Sequence, residues 1–199
     1  MSGTNVIKGK KVVLVIASEA FQPIEYTVTR DVLEEAGVKV ITASDKPGGA
    51  VATDNSMVPV DVDLHDLNLS QYDGFFLIGG SGAMEKLDNE VVYALCRKAV
   101  KRPMPYGAIC IAPRILVKAD AITGKQATGW NGDNALLAIC NAHDVTLIDK
   151  DVVIHGLLVT ATGPAAAEAF GKAIIRVLNK AALGNPEDSD GTVYFEVKE

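Results

Sequence analysis

The chain of 199 residues is 48% apolar and carries a formal net charge of −6, which suits one compact domain able to bury a full core. The acidic balance argues against broad affinity for nucleic acid or an anionic membrane, and the basic clusters Lys8 to Lys11 and Lys98 to Arg102 are too short to reverse it. A small molecule or another copy of the chain is the expected partner.

The elements follow in chain order. Val12-Val13-Leu14-Val15-Ile16-Ala17 follows lysines as a leader core would, but it is short and runs into Ser18-Glu19 without a cleavage-like site. It reads as a first buried strand. No stretch approaches the roughly 18 apolar residues of a membrane span, so cytoplasm is the default location. Pro23 to Ala36 has apolar residues at helical spacing (Ile24, Val28, Val32, Leu33, Ala36) and stops at Gly37. Val38 to Ala43 is then a second strand, completing a strand–helix–strand unit of a parallel sheet. Ser44 to Ser56 reads as a polar surface loop, and Met57 to Val62 as a short edge strand, because Pro59 cannot donate to a ladder.

Gly74 to Ile78 is a buried strand ending in Gly79-Gly80-Ser81-Gly82, Asn89 to Lys101 a helix, and Met104 to Ile109 the next strand. Ala112 to Ala119 and Asp133 to Asn141 are helical, with a short strand in Gln126 to Trp130 between them. Val145 to Ile148, Val152 to Ile154 and Leu157 to Thr160 are strands, the last two joined by a hairpin turn at His155-Gly156. Gly163-Pro164 opens a final Ala-rich helix. This alternation with a late hairpin predicts a doubly wound α/β sandwich over residues 1–183. Residues 184–199 turn acidic and polar around one strand-like run, Thr192 to Phe195, and are expected to form a partly ordered tail.

Cys110 sits where an apolar strand gives way to an Ala-Pro helix start. Such an elbow forces the residue into a strained conformation and pushes its side chain over the carboxyl edge of the sheet. Ala108 and Ala112 allow the tight turn, Pro113 suits the first helical turn, and the helix N-terminus is expected to favour thiolate over thiol. The other cysteines, Cys96 and Cys140, read as structural thiols. Three widely spaced cysteines without a CxxC or Cys/His cluster make a disulfide framework or a zinc site an unfavoured reading.

Ligands of such a sheet bind at the carboxyl ends of its strands, which brings other residues forward. Gly79-Gly80-Ser81-Gly82 lacks the Lys-Ser/Thr of a phosphate loop, and the first βα turn has no GxGxxG, so nucleotide binding is disfavoured and no cofactor is expected. Taken alone it is a tight turn; beside an elbow sulfur, the N–H of Gly80 becomes an oxyanion donor with the N–H of Ile111 as its partner. Glu25 lies in the first turn of a helix, where dipole compensation is the ordinary role. Pointed inwards, it would stay protonated and donate to a sulfur anion, with Glu19 the weaker candidate. Trp130 and Asn131 lie at the same edge, where Trp130 lines a pocket or simply packs. His65, His143 and His155 read as surface histidines.

The run Tyr106 to Pro113, with Gly79-Gly80 upstream and Glu25 to Gly37 near the start, resembles the ThiJ/PfpI superfamily over roughly Lys11 to Leu183. The resemblance implies a flavodoxin-like sandwich, usually a homodimer or larger, with Cys110 as nucleophile, Glu25 as its carboxyl partner, and Gly80 and Ile111 lining the oxyanion site. Activities across that family include conversion of methylglyoxal to lactate without cofactor, repair of early glycation adducts, peptidase or amidase action and oxidative-stress sensing. Two departures matter. The PfpI-type proteases place histidine directly after the cysteine, where this chain has Ile111; a second branch brings a histidine from the segment after the elbow helix, where the matching position is Trp130. His155-Gly156-Leu157 does not supply the His-x-Glu pair of glutamine amidotransferases either. The expectation is therefore a cysteine-dependent enzyme for small reactive carbonyls. A redox-sensing stress protein working through Cys110 oxidation, a PfpI-like amidase or peptidase, and a scaffold that keeps only a binding pocket are the alternatives.

Overall fold

Why Val12 to Ala17 forms the central strand is visible in its burial. Val12, Leu14 and Ile16 point into one apolar cluster, while Val13, Val15 and Ala17 point into another on the opposite face. A strand buried on both faces reads as continuous hydrophobic sequence, as parallel strands under helices do. The computed structural model describes residues 6–184 and 191–197.

In chain order the elements are β1 (Lys11–Val15), β2 (Glu19–Phe21), α1 (Pro23–Glu35), β3 (Lys39–Ser44), β4 (Gly48–Ala52), β5 (Met57–Val60), β6 (Val62–Asp63) and β7 (Gly74–Leu77). They continue with α2 (Ser81–Lys86), α3 (Glu90–Lys101), β8 (Tyr106–Ile109), α4 (Pro113–Lys118), β9 (Gln126–Ala127), α5 (Ala135–Ala142) and β10 (Thr146–Leu147). The last are β11 (Val152–His155), β12 (Leu158–Ala161), α6 (Ala167–Ala182) and β13 (Thr192–Phe195). The main sheet runs β13-β11-β12-β8-β7-β1-β3-β6. Its members from β12 to β6 pair in parallel, whereas β11 is antiparallel to both β12 and β13. Helices α1 and α6 cover one face through Tyr26, Leu33, Phe170, Ile174 and Val177. The other face is covered by α3, α4 and α5 through Val92, Leu95, Ile115, Leu116 and Leu136. The result is the three-layer α/β sandwich expected.

From β1 the chain moves to β3 and β6 in one direction, then returns to build β7, β8 and β12 in the other. The strand order therefore reverses between β1 and β7, and the carboxyl ends of these strands frame a crevice.

Two differences from the sequence reading have simple causes. Gly48–Ala52 is a strand rather than a loop, pairing with β2 and with β5 in a small separate sheet. Its inward residues are Ala50 and Ala52, which bury fully without the β-branched side chains that announce a strand. Met57 to Val62 is broken at Asp61, with Pro59 opposite Gly49 and β6 transferred to the main sheet. Within the tail expected to be partly ordered, the strand-like run Thr192–Phe195 docks as the outermost strand of the main sheet. It covers the edge of β11, with Lys150 ion-paired to Glu196 and Arg176 over the Phe195 ring at 6.0 Å. Residues 185–190, the acidic stretch before it, lie outside the described residues.

One glycine inside the sheet has a packing reason. A Cβ on Gly107 would stand 1.8 Å from the carbonyl oxygen of Val159 on the neighbouring strand. Gly107→Ala is expected to cost about 1–3 kcal/mol through forced backbone displacement, read as a lowered denaturant midpoint with an unchanged slope.

Candidate active site

Cys110 follows β8 with φ +65°, a left-handed conformation that a non-glycine residue holds only when its surroundings impose it. Its N–H donates to the Ala161 carbonyl at 2.9 Å, and its carbonyl accepts from the Trp130 N–H at 2.7 Å. The chain then turns tightly, with Ala112 N–H donating to Ile109 O at 3.2 Å, and Pro113 opens α4. The elbow expected from Ala108, Ala112 and Pro113 is present, and Cys110 is half-buried while Cys96 and Cys140 are fully enclosed. Burial pushes the Cys96 thiol up to about 12 and the Cys140 thiol up to about 11, in keeping with inert structural cysteines.

Glu25 belongs to the first turn of α1, which Gln22 caps through its side chain and Pro23 opens. It is not a solvated dipole-compensating residue: its exposure is 0%. Gly79, just past β7, is the hinge of this arrangement. Its N–H donates to Glu25 Oε2 at 3.0 Å, and its carbonyl accepts from the Gln22 N–H at 3.0 Å. A Cβ there would lie 2.7 Å from Cys110 Cβ and 2.8 Å from Glu25 Oε2, so the missing side chain is what lets the carboxyl reach the sulfur. Gly80 follows at φ +111°, packed against the backbone of Ala20 to Gln22, where a Cβ would come within 2.5 Å of two main-chain atoms. Elements after β1, β7 and β8 thus bring Glu25, Gly80, Cys110 and Ile111 together at the switch point.

The electrostatics correct one expectation. The Cys110 thiol is pushed up to about 12, first by burial and then by the charge of, and hydrogen bond to, Glu25. The N–H groups of Ile111 and Gly80 bond the sulfur and pull in the opposite direction only in part, so the helix start does not leave a free low-pKa thiolate. Glu25 is itself pushed up to about 7 by burial, against hydrogen bonds from Cys110 and Gly79. Two acids facing each other in a desolvated site ionise as a pair, and the second proton leaves far above the first. Glu25 Oε1 is buried without a hydrogen-bond partner, which adds to the cost of charging the carboxyl.

Glu19, the weaker alternative, lies outside this cluster. It is exposed and ion-paired to Lys86 and Lys46, which hold its carboxyl below the usual range. The histidines also lie on other partners. His65 bonds Asp63, His143 bonds Asp120, and His155, at the opposite end of the β8–β12 pairing from Cys110, bonds Gln126 and Thr192. Trp130, an exposed residue, adjoins the elbow through its main chain, while its ring lies under the Arg114 guanidinium at 5.1 Å. Asn131 accepts from the Leu137 N–H at 3.0 Å and so serves the start of α5. Arg114 was not singled out by sequence; the available signal was a lone cation inside the apolar run Pro113 to Val117. Among the described residues no group of three His, Cys, Asp or Glu side chains is placed to hold a metal ion, and no helix is long and apolar enough to cross a membrane.

A strained cysteine over the switch point of a doubly wound sheet, faced by a buried carboxyl, defines a class of protein. The model of the DJ-1/PfpI family matches residues 10–177, and the chain belongs to that family. An uncharacterized protein of Methanocaldococcus jannaschii is 29% identical over 175 residues, 87% of this chain and 85% of its own. A Pyrococcus abyssi protein named a deglycase is 26% identical over 168 residues, 83% of this chain and 98% of its own. The crystal structure of a ThiJ/PfpI domain protein from Brachyspira murdochii matches with a TM-score of 0.81 at 22% identity, covering 87% of this chain and 98% of that one; at this identity the likeness speaks for the fold.

Proposed function

We propose that this protein is a cofactor-independent enzyme that uses Cys110 and Glu25 on small reactive carbonyl compounds, in the manner of a deglycase or glyoxalase. The observation that carries the reading is the fully buried Glu25 carboxyl set against the Cys110 sulfur across a glycine that leaves no room for a side chain. Loss of one proton from the pair leaves either thiol with carboxylate or thiolate with carboxylic acid. Only the second form is nucleophilic; the N–H groups of Gly80 and Ile111 stabilise it in part, while the lower pKa of Glu25 leaves it the minor member of the pair.

With methylglyoxal as substrate, the Cys110 thiolate adds to the aldehyde carbon and forms a C–S bond. The carbonyl oxygen takes the electron pair between the two N–H donors and then the proton of Glu25, giving a hemithioacetal. The Glu25 carboxylate next removes the proton from that carbon to give an enediol, the former keto oxygen gaining a proton. It returns the proton to the neighbouring carbon as the hydroxyl on the sulfur-bearing carbon gives up its own proton and becomes the carbonyl of a lactoyl thioester. Water cleaves the thioester, releasing lactate and restoring the thiol, so the sum is methylglyoxal plus water to lactate. The name of the Pyrococcus relative agrees with this reading.

The upward push on the Cys110 thiol leaves little free thiolate, which weighs against the redox-sensing alternative; the carbonyl reaction draws on the minor thiolate form, with Glu25 beside it to complete the proton transfers. The amidase and peptidase alternatives want an imidazole at the sulfur, and each of the three histidines has partners elsewhere. The test is proton NMR of methylglyoxal incubated with the protein and no added cofactor. Lactate formation above the buffer rate supports the proposal, and a rate equal to buffer overturns it.

A further inference from the structure

Arg114 is a costly residue for its place. It lies in α4 between Pro113 and Ile115, Leu116 and Val117, all buried, and is itself only 7% exposed. Its Nε has no hydrogen-bond partner. An apolar side chain would fill such a site without desolvating a charge, so the guanidinium is there for what it holds. Nη1 donates to Asp133 Oδ2 at 3.1 Å and Nη2 to Asp133 Oδ1 at 2.5 Å, a two-pronged ion pair that keeps the Asp133 carboxyl below its usual range. Nη2 also donates to the Trp130 carbonyl at 3.4 Å, and the guanidinium carbon stands 5.1 Å from the centre of the indole.

The segment held in this way touches the elbow directly. The Trp130 N–H is the donor to the Cys110 carbonyl, at 2.7 Å. A Cβ on Gly129 would lie 3.0 Å from that carbonyl oxygen and 3.0 Å from Pro113 Cγ, so residues 129 and 130 lie flush on the turn. On its other side the indole rests on Gly132, where a Cβ would meet the ring at 2.9 Å. One guanidinium therefore fastens both ends of the 130–133 stretch, and that stretch fastens the residue at φ +65°.

We propose that Arg114 is a positioning residue for Cys110: its ion pair with Asp133 and its stack on Trp130 clamp the 129–133 segment against the elbow and keep the sulfur aligned with the N–H groups of Gly80 and Ile111. The inference rests on Cys110 being the reactive group of the site. Trp130 is the sole tryptophan of the chain, so its fluorescence reports the clamp without a label.

The experiment uses the full chain and two variants. Asp133→Asn removes the charge from the exposed end of the pair while its side-chain oxygen can still accept from the Ala135 N–H. Arg114→Lys keeps the charge but loses the planar fork. Acrylamide quenching of Trp130 and the iodoacetamide rate at Cys110 are measured across pH, with far-UV circular dichroism as the folding control. In Asp133→Asn, quenching is expected to rise and the Cys110 rate to fall, each by about two- to fivefold, with the fold unchanged. Arg114→Lys, where it folds, is expected to do the same. Increased quenching with a wild-type alkylation rate and pH profile would reduce the clamp to a structural pair and overturn the proposal, as would no change in either. Neither readout requires turnover, so absence of lactate formation in the wild type would strike the enzymatic reading and leave this one to be judged on the alkylation data.

Discussion

Replacing Cys110 by serine is expected to lower lactate formation from methylglyoxal by at least about a thousandfold, to the uncatalysed background, with the fold intact. The hydroxyl fits where the thiol sits and can still hydrogen-bond Glu25, so structure is not what fails. What fails is ionisation. A serine hydroxyl, unlike a thiol, does not ionise in the accessible pH range and is a far weaker nucleophile unless a base held by its own orienting partner takes its proton. Among the described residues the group facing this position is Glu25, which the reaction also needs as its acid. The check is the NMR assay of the proposed reaction, run beside circular dichroism. Activity of the serine variant within about tenfold of wild type would place the chemistry elsewhere in the molecule.

Replacing Glu25 by glutamine is expected to lower turnover by about 10²- to 10⁴-fold, the usual range for loss of a general acid–base group, while making the protein more stable. Glutamine still accepts from the Gly79 N–H, but it can neither give up a proton nor take one back. The stability change follows from the raised pKa. Between 4.5, the ordinary value of the carboxyl, and about 7 in the folded state, the native protein binds more protons than the unfolded chain. The stabilisation from protonating Glu25 is therefore complete below 4.5 and is lost as pH rises through 7. Glutamine stays neutral throughout, so the variant should match wild type in acid and exceed it by about 3 kcal/mol above neutrality. Denaturant melts at pH 4.5 and pH 8 read this directly. Equal stability at both pH values would mean that the carboxyl is not buried as a charge. A residue that costs stability and supplies the proton chemistry is the trade-off expected at an active site.

The parts of this site that local sequence determines were legible in it. Cys110 stood out because an apolar strand ends there and small residues and a proline follow, and that pattern alone suffices to build the turn. The first helix was readable through its apolar spacing and its stop at Gly37, whose φ of +84° suits a helix end. The orientation of Glu25 was not readable with the same assurance. An acid in a first helical turn satisfies the dipole whether it faces water or the core, and the deciding contact is Gly79, 54 residues away. Arg114 was invisible for a similar reason. Its partners Trp130 and Asp133 lie 16 and 19 residues further on, and only the folded chain sets them beside α4. Strand β4 escaped because Gly48, Gly49, Ala50 and Ala52 carry no side chains that favour a pleated surface. The thiol's upward shift escaped because burial cannot be seen in a sequence that shows only a helix start next to a cysteine.

The central claim is that Cys110 and Glu25 form one titrating pair: when a single proton is lost the charge lies mainly on Glu25, and the reactive thiolate arises as the minor form in exchange with it. The measurement that tests it most directly is the pH dependence of the iodoacetamide rate at Cys110 in wild type and in Glu25→Gln. In wild type the rate should rise with an inflection near 7, where the pair loses its first proton. In Glu25→Gln the thiol stands alone in a desolvated site, and the inflection should move above its ordinary value of 9.0. An inflection at the same pH in both proteins would contradict the account.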